Sequence, residues 1–364
     1  MDYNSYRRKT TPIRVGNIIV GGSSPVSVQS MTNTDTHDVD ATYRQVCDLA
    51  AAGCDIVRIT APDVASVECF RALKARGVSV PLVADIHFDY KIAVAVAPYV
   101  DKIRINPGNI GGKDKIREVV AACREHAIPI RIGVNSGSLE KSILARHGSP
   151  TPEALVESAL YHASLLEELD FHDIAISVKA SSTACTIAAN RLLAERTSYP
   201  LHLGVTEAGF GTSAIVKSSI GIGTLLAEGI GDTVRVSLTD DPVREVEAAR
   251  EILCALGLYD GGMNIISCPT CGRTRIDLIA LAAEFKARAA AEGIDKEKIT
   301  VALMGCVVNG PGEAREADVG IAGGNGEGLI FRRGEIVCKV REDELIDRLI
   351  EEIKTMKGGS GDGR

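Results

Sequence analysis

Short runs of apolar and β-branched residues alternate with longer amphipathic segments along the first two thirds of the chain. Eight runs predict strands at residues 27–30, 55–60, 82–87, 102–106, 130–135, 174–179, 201–206 and 233–238. The segments between them predict helices at residues 41–52, 64–75, 113–126, 152–169, 185–197 and 242–256. Because strand and helix alternate, the sheet should be parallel, and eight such units are typical of an α/β protein with a closed (βα)8 TIM-type barrel. An open doubly wound sheet is the alternative, although no Gly-x-Gly-x-x-Gly follows the first strand.

Cations occupy positions inside five of these strands: Arg58, Arg104, Arg131, Lys179 and Arg235. Since side chains alternate between the two faces of a strand, each arginine shares a face with a polar residue further along. These polar residues are Thr60, Asn106, Asn135 and Ser237, and Asp85 shares its face with His87 in the same way. In a barrel the inward faces meet, so we expect these side chains to converge near the carboxyl ends of the strands, where barrel active sites lie.

The excess of positive charge indicates an anionic ligand. Burying a charge costs several kcal/mol unless the charge is paired. Asp85 and Glu207 are the obvious carboxylates on the strands, so internal pairing, the alternative explanation, leaves cations over. Arginine's planar fork matches phosphate oxygens, and the pattern therefore predicts a small ligand with more than one phosphate. Backbone amides of Gly221, Gly223 and residues 229–232 are predicted to add to this site.

The chain changes character at Leu258–Gly262, a short hinge-like stretch that predicts a domain boundary. Cys268 and Cys271 follow as a Cys-x-x-Cys, which places two sulfurs on one tight turn, and Cys306 lies further on beside a glycine-proline turn. Three sulfur ligands need a fourth, and the candidates are Cys338 and Glu313. The spacing leaves two centres open: a structural zinc site that uses Cys338, and a [4Fe–4S] cluster with a carboxylate as its fourth ligand.

Composition narrows the class of protein. The chain has 364 residues, 45% of them hydrophobic, and a net charge of −7, which argues against a broad nucleic-acid-binding face. Its apolar stretches fall short of the roughly 20 residues that a membrane span needs, and the polar N-terminus does not resemble a secretory signal. We therefore expect a cytoplasmic protein with reduced thiols. Single cysteines in apolar runs are expected to be buried packing residues: Cys47, Cys54, Cys69, Cys123, Cys185 and Cys254.

Specific motifs occur in a fixed order over almost the whole chain. They are Gln29–Thr34, Asp85–Phe88, Arg104–Asn109, Gly133–Ser138, Val205–Gly209, Cys268–Arg273 and Asn309–Glu313. Together they resemble the 4-hydroxy-3-methylbut-2-enyl diphosphate synthase family, in its shorter bacterial two-domain form. The resemblance implies a diphosphate-binding barrel over residues 1–257 and a smaller α+β iron–sulfur domain over residues 258–356. The glycine-rich tail, residues 357–364, matches nothing and is expected to be disordered.

The activity that the resemblance implies is the reductive opening and dehydration of 2-C-methyl-D-erythritol 2,4-cyclodiphosphate, a step of the non-mevalonate isoprenoid pathway. The implied cluster ligands are Cys268, Cys271, Cys306 and Glu313. The expected substrate-binding residues are Arg58, His87, Arg104, Asn106, Arg131, Asn135, Lys179, Thr206, Arg235 and Ser237. Glu207 is the candidate acid or base, and Glu313 is also expected to take part in catalysis. Electrons should come from flavodoxin or ferredoxin, because the chain carries no flavin or nicotinamide fingerprint.

Two other functions stay open at this point. A pteroate-binding barrel that transfers methyl groups would share the fold but would not need clustered cysteines. A non-catalytic metal or cluster sensor would need the cysteines but not the strand arginines.

The last barrel helix also predicts an oligomer. Residues 242–256 should run from the mouth back to the opposite end of the barrel, on the order of 30 Å away. The second domain would then begin far from its own barrel mouth. A head-to-tail homodimer, in which each cluster domain covers the partner's barrel, follows as the expectation.

Overall fold

The computed structural model describes residues 3–259, 261–306 and 316–358, apart from the side chains of Pro107, Lys357 and Gly358. Glu313, Asn309 and the end of the predicted tail lie outside the described residues. The chain divides into two compact units, residues 1–259 and residues 260–364. Within the described ranges, no helix is both long and apolar enough to cross a lipid bilayer.

The first unit begins with a small antiparallel hairpin of β1 (Ile13–Val15) and β2 (Ile18–Val20). Eight parallel strands follow: β3 (Ser27–Met31), β4 (Ile56–Thr60), β5 (Leu82–Asp85), β6 (Lys102–Ile105), β7 (Ile130–Asn135), β8 (Ile174–Lys179), β9 (His202–Leu203) and β10 (Thr233–Val234). Their spatial order is β8-β7-β6-β5-β4-β3-β10-β9. A parallel bridge between Ile176 and Leu201 brings the two ends of this sheet together. The predicted TIM-type barrel is therefore confirmed.

Helices surround the barrel: α1 (Val39–Ala51), α2 (Val67–Ala75), α3 (Tyr90–Val96), α4 (Pro107–Ile110), α5 (Lys113–Glu125), α6 (Lys141–His147), α7 (Pro152–Glu167), α8 (Thr183–Arg196), α9 (Gly211–Ala227) and α10 (Pro242–Ala255). Several begin at a side-chain cap, as where Thr151 accepts a hydrogen bond from the amide of Ala154 and Ser182 from that of Cys185. Their apolar faces pack on the outward residues of the strands, and this packing forms the main core.

The glycines whose amides were predicted to bind phosphate do not lie at the barrel mouth, so that prediction was wrong. Gly221 and Gly223 are inside α9, where the amides belong to the helix. A Cβ atom on Gly221 would come within 2.6 Å of Val205 Cγ2, so this glycine lets the helix approach the barrel closely. Residues 229–232 lead into β10 at its amino end, opposite the mouth.

The described part of the second unit is a mixed sheet with two α-helices. Its elements are β11 (Asn264–Ser267), α11 (Leu278–Ala291), β12 (Thr300–Met304), β13 (Val319–Gly323), β14 (Glu327–Arg332), β15 (Glu335–Arg341) and α12 (Leu345–Gly358). The strands lie in chain order, and β11, β12 and β13 are parallel while β14 and β15 are antiparallel additions. Phe285 of α11 and Leu349 of α12 are fully buried in its core. Since α12 continues to Gly358, the tail expected from residue 357 does not begin there.

Candidate functional site

The interior of the barrel is polar and rich in cations. Every second residue of the strands faces inward, while the alternate residues pack under the helices. Five cations of the central strands are buried, with at most 7% of their surface exposed: Arg58, Lys102, Arg104, Arg131 and Lys179. Arg235, after β10, is partly buried beside them. The predicted arginines and Lys179 therefore converge inside the barrel.

Asp85 is the carboxylate at the centre of this cluster. Its Oδ1 accepts a hydrogen bond from Arg104 Nη1 at 2.9 Å, and its Oδ2 lies 3.6 Å from Arg58 Nε and 3.7 Å from His87 Nε2. Burial alone would raise the pKa of Asp85, but Arg58, His87 and Arg104 together lower it well below its ordinary value. Asp85 is therefore ionised at neutral pH and orients two of the arginines.

A second carboxylate reaches the cluster from a helix. Glu245, in the first turn of α10, is 3.1 Å from Arg235 Nη2 through its Oε1, and its Oε2 accepts a hydrogen bond from Ser30 Oγ at 2.8 Å. Glu245 was not predicted as a site residue, because a glutamate in the first turn of a helix is common. Glu207, which the alternative explanation would pair with an arginine, forms no ion pair within the described residues.

Positive charge still exceeds negative charge inside the barrel. Among the described residues, the Nε atoms of Arg58, Arg104, Arg131 and Arg235 find no hydrogen-bond acceptor, and neither does Arg131 Nη2. Arg131 is held by one neutral contact, from its Nη1 to Ser177 Oγ at 2.8 Å. Unpaired buried cations are costly, so an anion at the mouth would lower the free energy of the whole cluster.

Glycines on neighbouring strands make room for these long side chains. A Cβ atom on Gly133 would lie 2.7 Å from Arg104 Nη2, and one on Gly204 would lie 2.8 Å from Lys179 Nζ. Both glycines occupy inward positions, on β7 and just after β9. The small residues are therefore part of the cation site.

Replacing Gly133 by Ala is expected to lower the free energy of unfolding by about 1–3 kcal/mol, because the new methyl group overpacks the site and pushes Arg104 away from Asp85. Urea unfolding followed by circular dichroism measures the change. Gly223→Ala is the matched control: a Cβ there meets nothing within 4 Å, so the variant should gain roughly 0.5–1 kcal/mol of helix stability. Equal stability of Gly133→Ala and wild type would contradict the close packing of Arg104.

The remaining predicted site residues lie at the carboxyl ends of the strands. His87 and Glu207 are exposed, Thr206, Asn135 and Ser237 are partly buried, and Asn106 is buried. Glu207 has a φ of +53°, a left-handed conformation that is rare outside glycine and is found at functional turns. All of them end or follow strands of the barrel on its carboxyl side, so the structure brings the predicted set to one end of the barrel.

A hydrogen-bonded pair of side chains supports the turn that follows β6. His162 of α7 is hydrogen-bonded to Glu140 through its Nε2, and Ser158 Oγ donates to the other carboxylate oxygen at 2.9 Å. Gly108 packs directly on this pair, because a Cβ there would lie 2.9 Å from Glu140 Oε1. Asn106 caps the same turn by accepting a hydrogen bond from the Gly108 amide at 3.1 Å. The pair therefore helps to fix Asn106 at the mouth.

Several buried polar residues of the interior were not predicted, and three of them have long or ionisable side chains. They are Gln29, Lys102 and His202. The sequence spacing could have identified Lys102, since this residue precedes Arg104 by two positions and so lies on the same inward face of the strand. Gln29 and His202 lie in short strands, and their type alone did not separate them from ordinary core residues.

In the second unit, the predicted sulfur ligands follow two neighbouring parallel strands. Cys268 and Cys271 come after β11, and Cys306 comes after β12. The two loops are joined, because the Gly305 amide approaches Cys268 Sγ at 3.3 Å and the Arg275 amide donates to the Gly305 carbonyl at 2.9 Å. Parallel strands end at the same edge, so the three thiols share one edge of the sheet.

The chemistry of this edge suits a soft metal centre. The Arg273 amide, as a hydrogen-bond donor, lowers the pKa of the exposed Cys271 thiol and favours the thiolate. Across the described ranges there is no group of three or more His, Cys, Asp or Glu side chains already arranged to hold a metal ion. The proposed fourth ligand, Glu313, falls in the undescribed stretch between 306 and 316.

Comparison with solved structures supports the barrel. Dihydropteroate synthase from Stenotrophomonas maltophilia superimposes with a TM-score of 0.50 at 14% identity, covering 68% of this chain and 98% of that chain. The sialic acid synthetase from Leptospira borgpetersenii gives a TM-score of 0.50 at 13% identity, covering 69% and 92%. At these identities the likeness shows the fold alone.

Comparison with protein families and characterised sequences is more specific. The GcpE TIM-barrel domain model matches residues 10–250, and the GcpE protein C-terminal domain model matches residues 264–355. A 4-hydroxy-3-methylbut-2-en-1-yl diphosphate synthase (flavodoxin) from Clostridium perfringens is 58% identical over 351 residues, which cover 96% of this chain and 99% of the relative. The enzyme of the same name from Geobacter sulfurreducens is 59% identical over 349 residues, covering 96% and 98%. The chain belongs to the GcpE family of 4-hydroxy-3-methylbut-2-en-1-yl diphosphate synthases, as its motifs predicted.

Proposed function

We propose that the protein is an iron–sulfur oxidoreductase that converts 2-C-methyl-D-erythritol 2,4-cyclodiphosphate to 4-hydroxy-3-methylbut-2-enyl diphosphate in the non-mevalonate isoprenoid pathway. The observation that carries the proposal is the excess of buried cations at the barrel mouth in a chain whose relatives with this activity match it over almost their full length. The reaction takes up two electrons and two protons, breaks a ring C–O bond and releases one water.

The barrel binds the diphosphate in this proposal. Arg58, Arg104, Arg131, Lys179 and Arg235 supply the positive charge, and the guanidinium forks of the four arginines match phosphate oxygens. Asn106, Asn135, Thr206 and Ser237 add neutral hydrogen-bonding groups around the mouth, and the exposed His87 contacts the ligand from the rim. Asp85 and Glu245 keep the arginines in position before the ligand arrives, which lowers the ordering cost of binding.

Glu207 is the proposed proton donor for the departing hydroxyl. It is exposed at the mouth, and no described cation pairs with it, so its carboxyl group is available to exchange protons with a ligand. Its strained left-handed backbone conformation holds the side chain at the end of β9.

Cys268, Cys271, Cys306 and Glu313 are the residues that we propose hold a [4Fe–4S] cluster. Such a cluster supplies the two electrons one at a time, which the side chains of this protein cannot do. The shared sheet edge of the three cysteines supports the assignment, and their soft thiolates match iron and sulfide. Glu313, as a harder and weaker ligand, would leave one iron exchangeable. We propose flavodoxin as the electron donor, because the relatives carry that donor in their names, with ferredoxin as the alternative.

The direct test is turnover. Anaerobically purified protein should convert the cyclodiphosphate to the allylic diphosphate when reduced flavodoxin or dithionite with a viologen dye is supplied. Failure with every reductant, in protein with a full complement of iron and sulfide, would rule the activity out. Neither the methyl-transfer alternative nor the sensor alternative is favoured by any observation, since the dihydropteroate synthase likeness extends only to the fold.

Replacing Arg58 by Met should weaken binding of the cyclodiphosphate by about 10- to 100-fold, the loss expected for one charge-assisted contact. Stability should hold or rise, because burial and the charges of Arg235 and Arg104 outweigh the attraction of Asp85 and lower the pKa of Arg58 to about 10. Calorimetry on the oxidised protein without reductant measures the dissociation constant. Arg71→Met, which removes an exposed ion pair with Glu68 on α2, is the control and should leave binding unchanged. Wild-type affinity in Arg58→Met would contradict phosphate binding at the mouth.

A further inference from the structure

Lys102 lies at the floor of the barrel, below the proposed phosphate site. It is the first residue of β6 and faces inward with Arg104, and only 1% of its surface is exposed. Across the ladder it stands opposite Val83 of β5. Val83 packs against Ile13, Val15 and Val20 of the β1–β2 hairpin, which closes this end of the barrel. Lys102 is therefore remote from solvent, between an apolar plug and the arginines.

The groups that surround Lys102 are cationic or neutral. Arg131 faces it from β7 and Arg58 from β4, and both disfavour its charge. His202 of β9 is neutral, because burial, Lys179 and Arg131 lower its pKa well below the ordinary value. Lys179 of β8 belongs to the same cluster, where burial, Arg131 and Arg235 lower its pKa well below the ordinary value. The hairpin contributes only apolar side chains toward this floor.

No carboxylate in the described ranges offsets this repulsion at Lys102. The interior carboxylate, Asp85, is engaged by Arg104, Arg58 and His87, and Glu245 is engaged by Arg235 and Ser30. Among the described residues, Lys102 has no attractive ionic partner, and burial followed by Arg131 and Arg58 lowers its pKa to about 7.

Only the lysines of this cluster can release charge. An arginine side chain stays protonated in proteins, whereas a buried lysine readily becomes neutral. Lys179 is at the mouth, within reach of a ligand, but Lys102 is sealed beneath it. Any change in the protonation of Lys102 must therefore act through the electric field of the cluster, not through contact with the ligand.

We propose that Lys102 is a proton acceptor coupled to the phosphate site, neutral in the ligand-free barrel at mildly alkaline pH and protonated when a diphosphate binds above it. The inference rests on the proposed function, since it requires a phosphate ligand at the mouth. The negative charge of the diphosphate offsets the repulsion from Arg58 and Arg131 and so raises the proton affinity of Lys102. By linkage, the proton then strengthens diphosphate binding to the same extent.

The pH window follows from the lowered pKa. Below about pH 6 Lys102 is already protonated in the free protein, so binding takes up no further proton there. Near pH 8 it is about 90% neutral when free, given a pKa of about 7, and binding should take up close to one proton.

Calorimetric titration in buffers of different ionisation enthalpy counts these protons. The probes are inorganic pyrophosphate and the cyclodiphosphate, with full-length, anaerobically purified, oxidised protein and no reductant, so no turnover occurs. Lys102→Met should reduce proton uptake by about 0.5–0.9 per site at pH 8 and by almost nothing at pH 6. From pH 6 to pH 8, the ratio of the Kd of Lys102→Met to the Kd of wild type should fall by about tenfold. The reason is that Lys102 loses its proton in wild type, which weakens wild-type binding, whereas the variant has no proton to lose at this position. Lys286→Met, on the exposed face of α11, should match wild type at both pH values.

Lys102→Arg provides a second variant that keeps the charge but cannot release it. It should also lose the proton uptake at pH 8, while its affinity stays at the wild-type low-pH level. Either variant that folds can test whether Lys102 is the proton acceptor, since both variants remove its titrating group.

The outcomes separate this inference from the proposed function. If both probes bind wild type but the variants take up as many protons at pH 8 as wild type does, Lys102 is not the acceptor and Lys179 or the ligand accounts for the uptake. If neither probe binds wild type at any pH, the phosphate site itself is wrong and both proposals fall.

Discussion

Protein carrying Cys306→Ser is expected to fold but to contain almost no iron or acid-labile sulfide after anaerobic purification. The proposed cluster has three thiolate ligands on one sheet edge, and serine is a poor substitute for a soft thiolate toward iron. Cys306 follows β12 directly, on the edge where Cys268 and Cys271 follow β11. The Cys306→Ser substitution removes one thiolate ligand from this edge, whereas the folding of the sheet does not require the thiol. Wild-type protein should be brown, with broad absorption in the blue, and Cys306→Ser should be colourless.

Cys338→Ser is the matched variant and should keep its full iron content. Cys338 lies in the middle of β15, paired with Ile330 of β14, and it packs against the core of the second unit. Two strands, β13 and β14, separate β15 from β12. At about 4.8 Å per strand, this is on the order of 15 Å across the sheet, too far for both cysteines to bind one small centre without refolding the edge.

Metal analysis of the two variants tests the ligand assignment against the zinc alternative. Stoichiometric zinc in a colourless wild-type protein would overturn the cluster. Iron lost from Cys338→Ser as well as from Cys306→Ser would show that the fourth ligand is Cys338 and not Glu313. Circular dichroism of each variant shows whether the fold survived.

The barrel could be predicted because two independent signals agreed. The alternation of strand and helix indicated the eight units, and the cations inside β4, β6, β7 and β8 marked the inward face. Strand bounds were predicted well where long apolar runs exist, as at Ile130–Asn135 and Ile174–Lys179. They were too long for β9 and β10, because glycine at 204 and arginine at 235 follow the paired residues and interrupt the regular ladder.

The contacts that hold the site together could not be predicted from the sequence. Glu245 approaches Arg235 from a helix, and which helix packs beside which strand end is decided by tertiary structure. Gly133 and Gly204 have no chemistry of their own, and their role appears only once the cations of neighbouring strands are seen to need the space. The error at Gly221 and Gly223 has the same origin, since a glycine in the sequence does not reveal whether it serves a turn or a close helix contact.

Mixing two inactive chains is expected to restore activity if the working site is shared between subunits, as we propose for a head-to-tail dimer. The structure of the barrel unit supports the premise. Arg250, late in α10, donates from its Nε to the Gly53 carbonyl at 3.1 Å, and its guanidinium lies 4.3 Å above the ring of Tyr259. Gly53 precedes β4, so these residues lie at the amino end of the strands, opposite the mouth. The chain thus leaves its own barrel at the end far from the phosphate site.

The experiment combines Glu207→Gln, defective in the barrel, with Cys306→Ser, defective in the cluster, after each is shown to be inactive alone. Different affinity tags on the two chains allow the heterodimer to be isolated. In a shared-site dimer, one of its two sites has an intact barrel mouth and an intact set of cysteines, so activity should return to about half of wild type. If each chain completes its own site, every site in the heterodimer lacks one part. Purified heterodimer that stays inactive would therefore exclude the shared site, and a chain that remains monomeric at assay concentration would exclude the dimer itself.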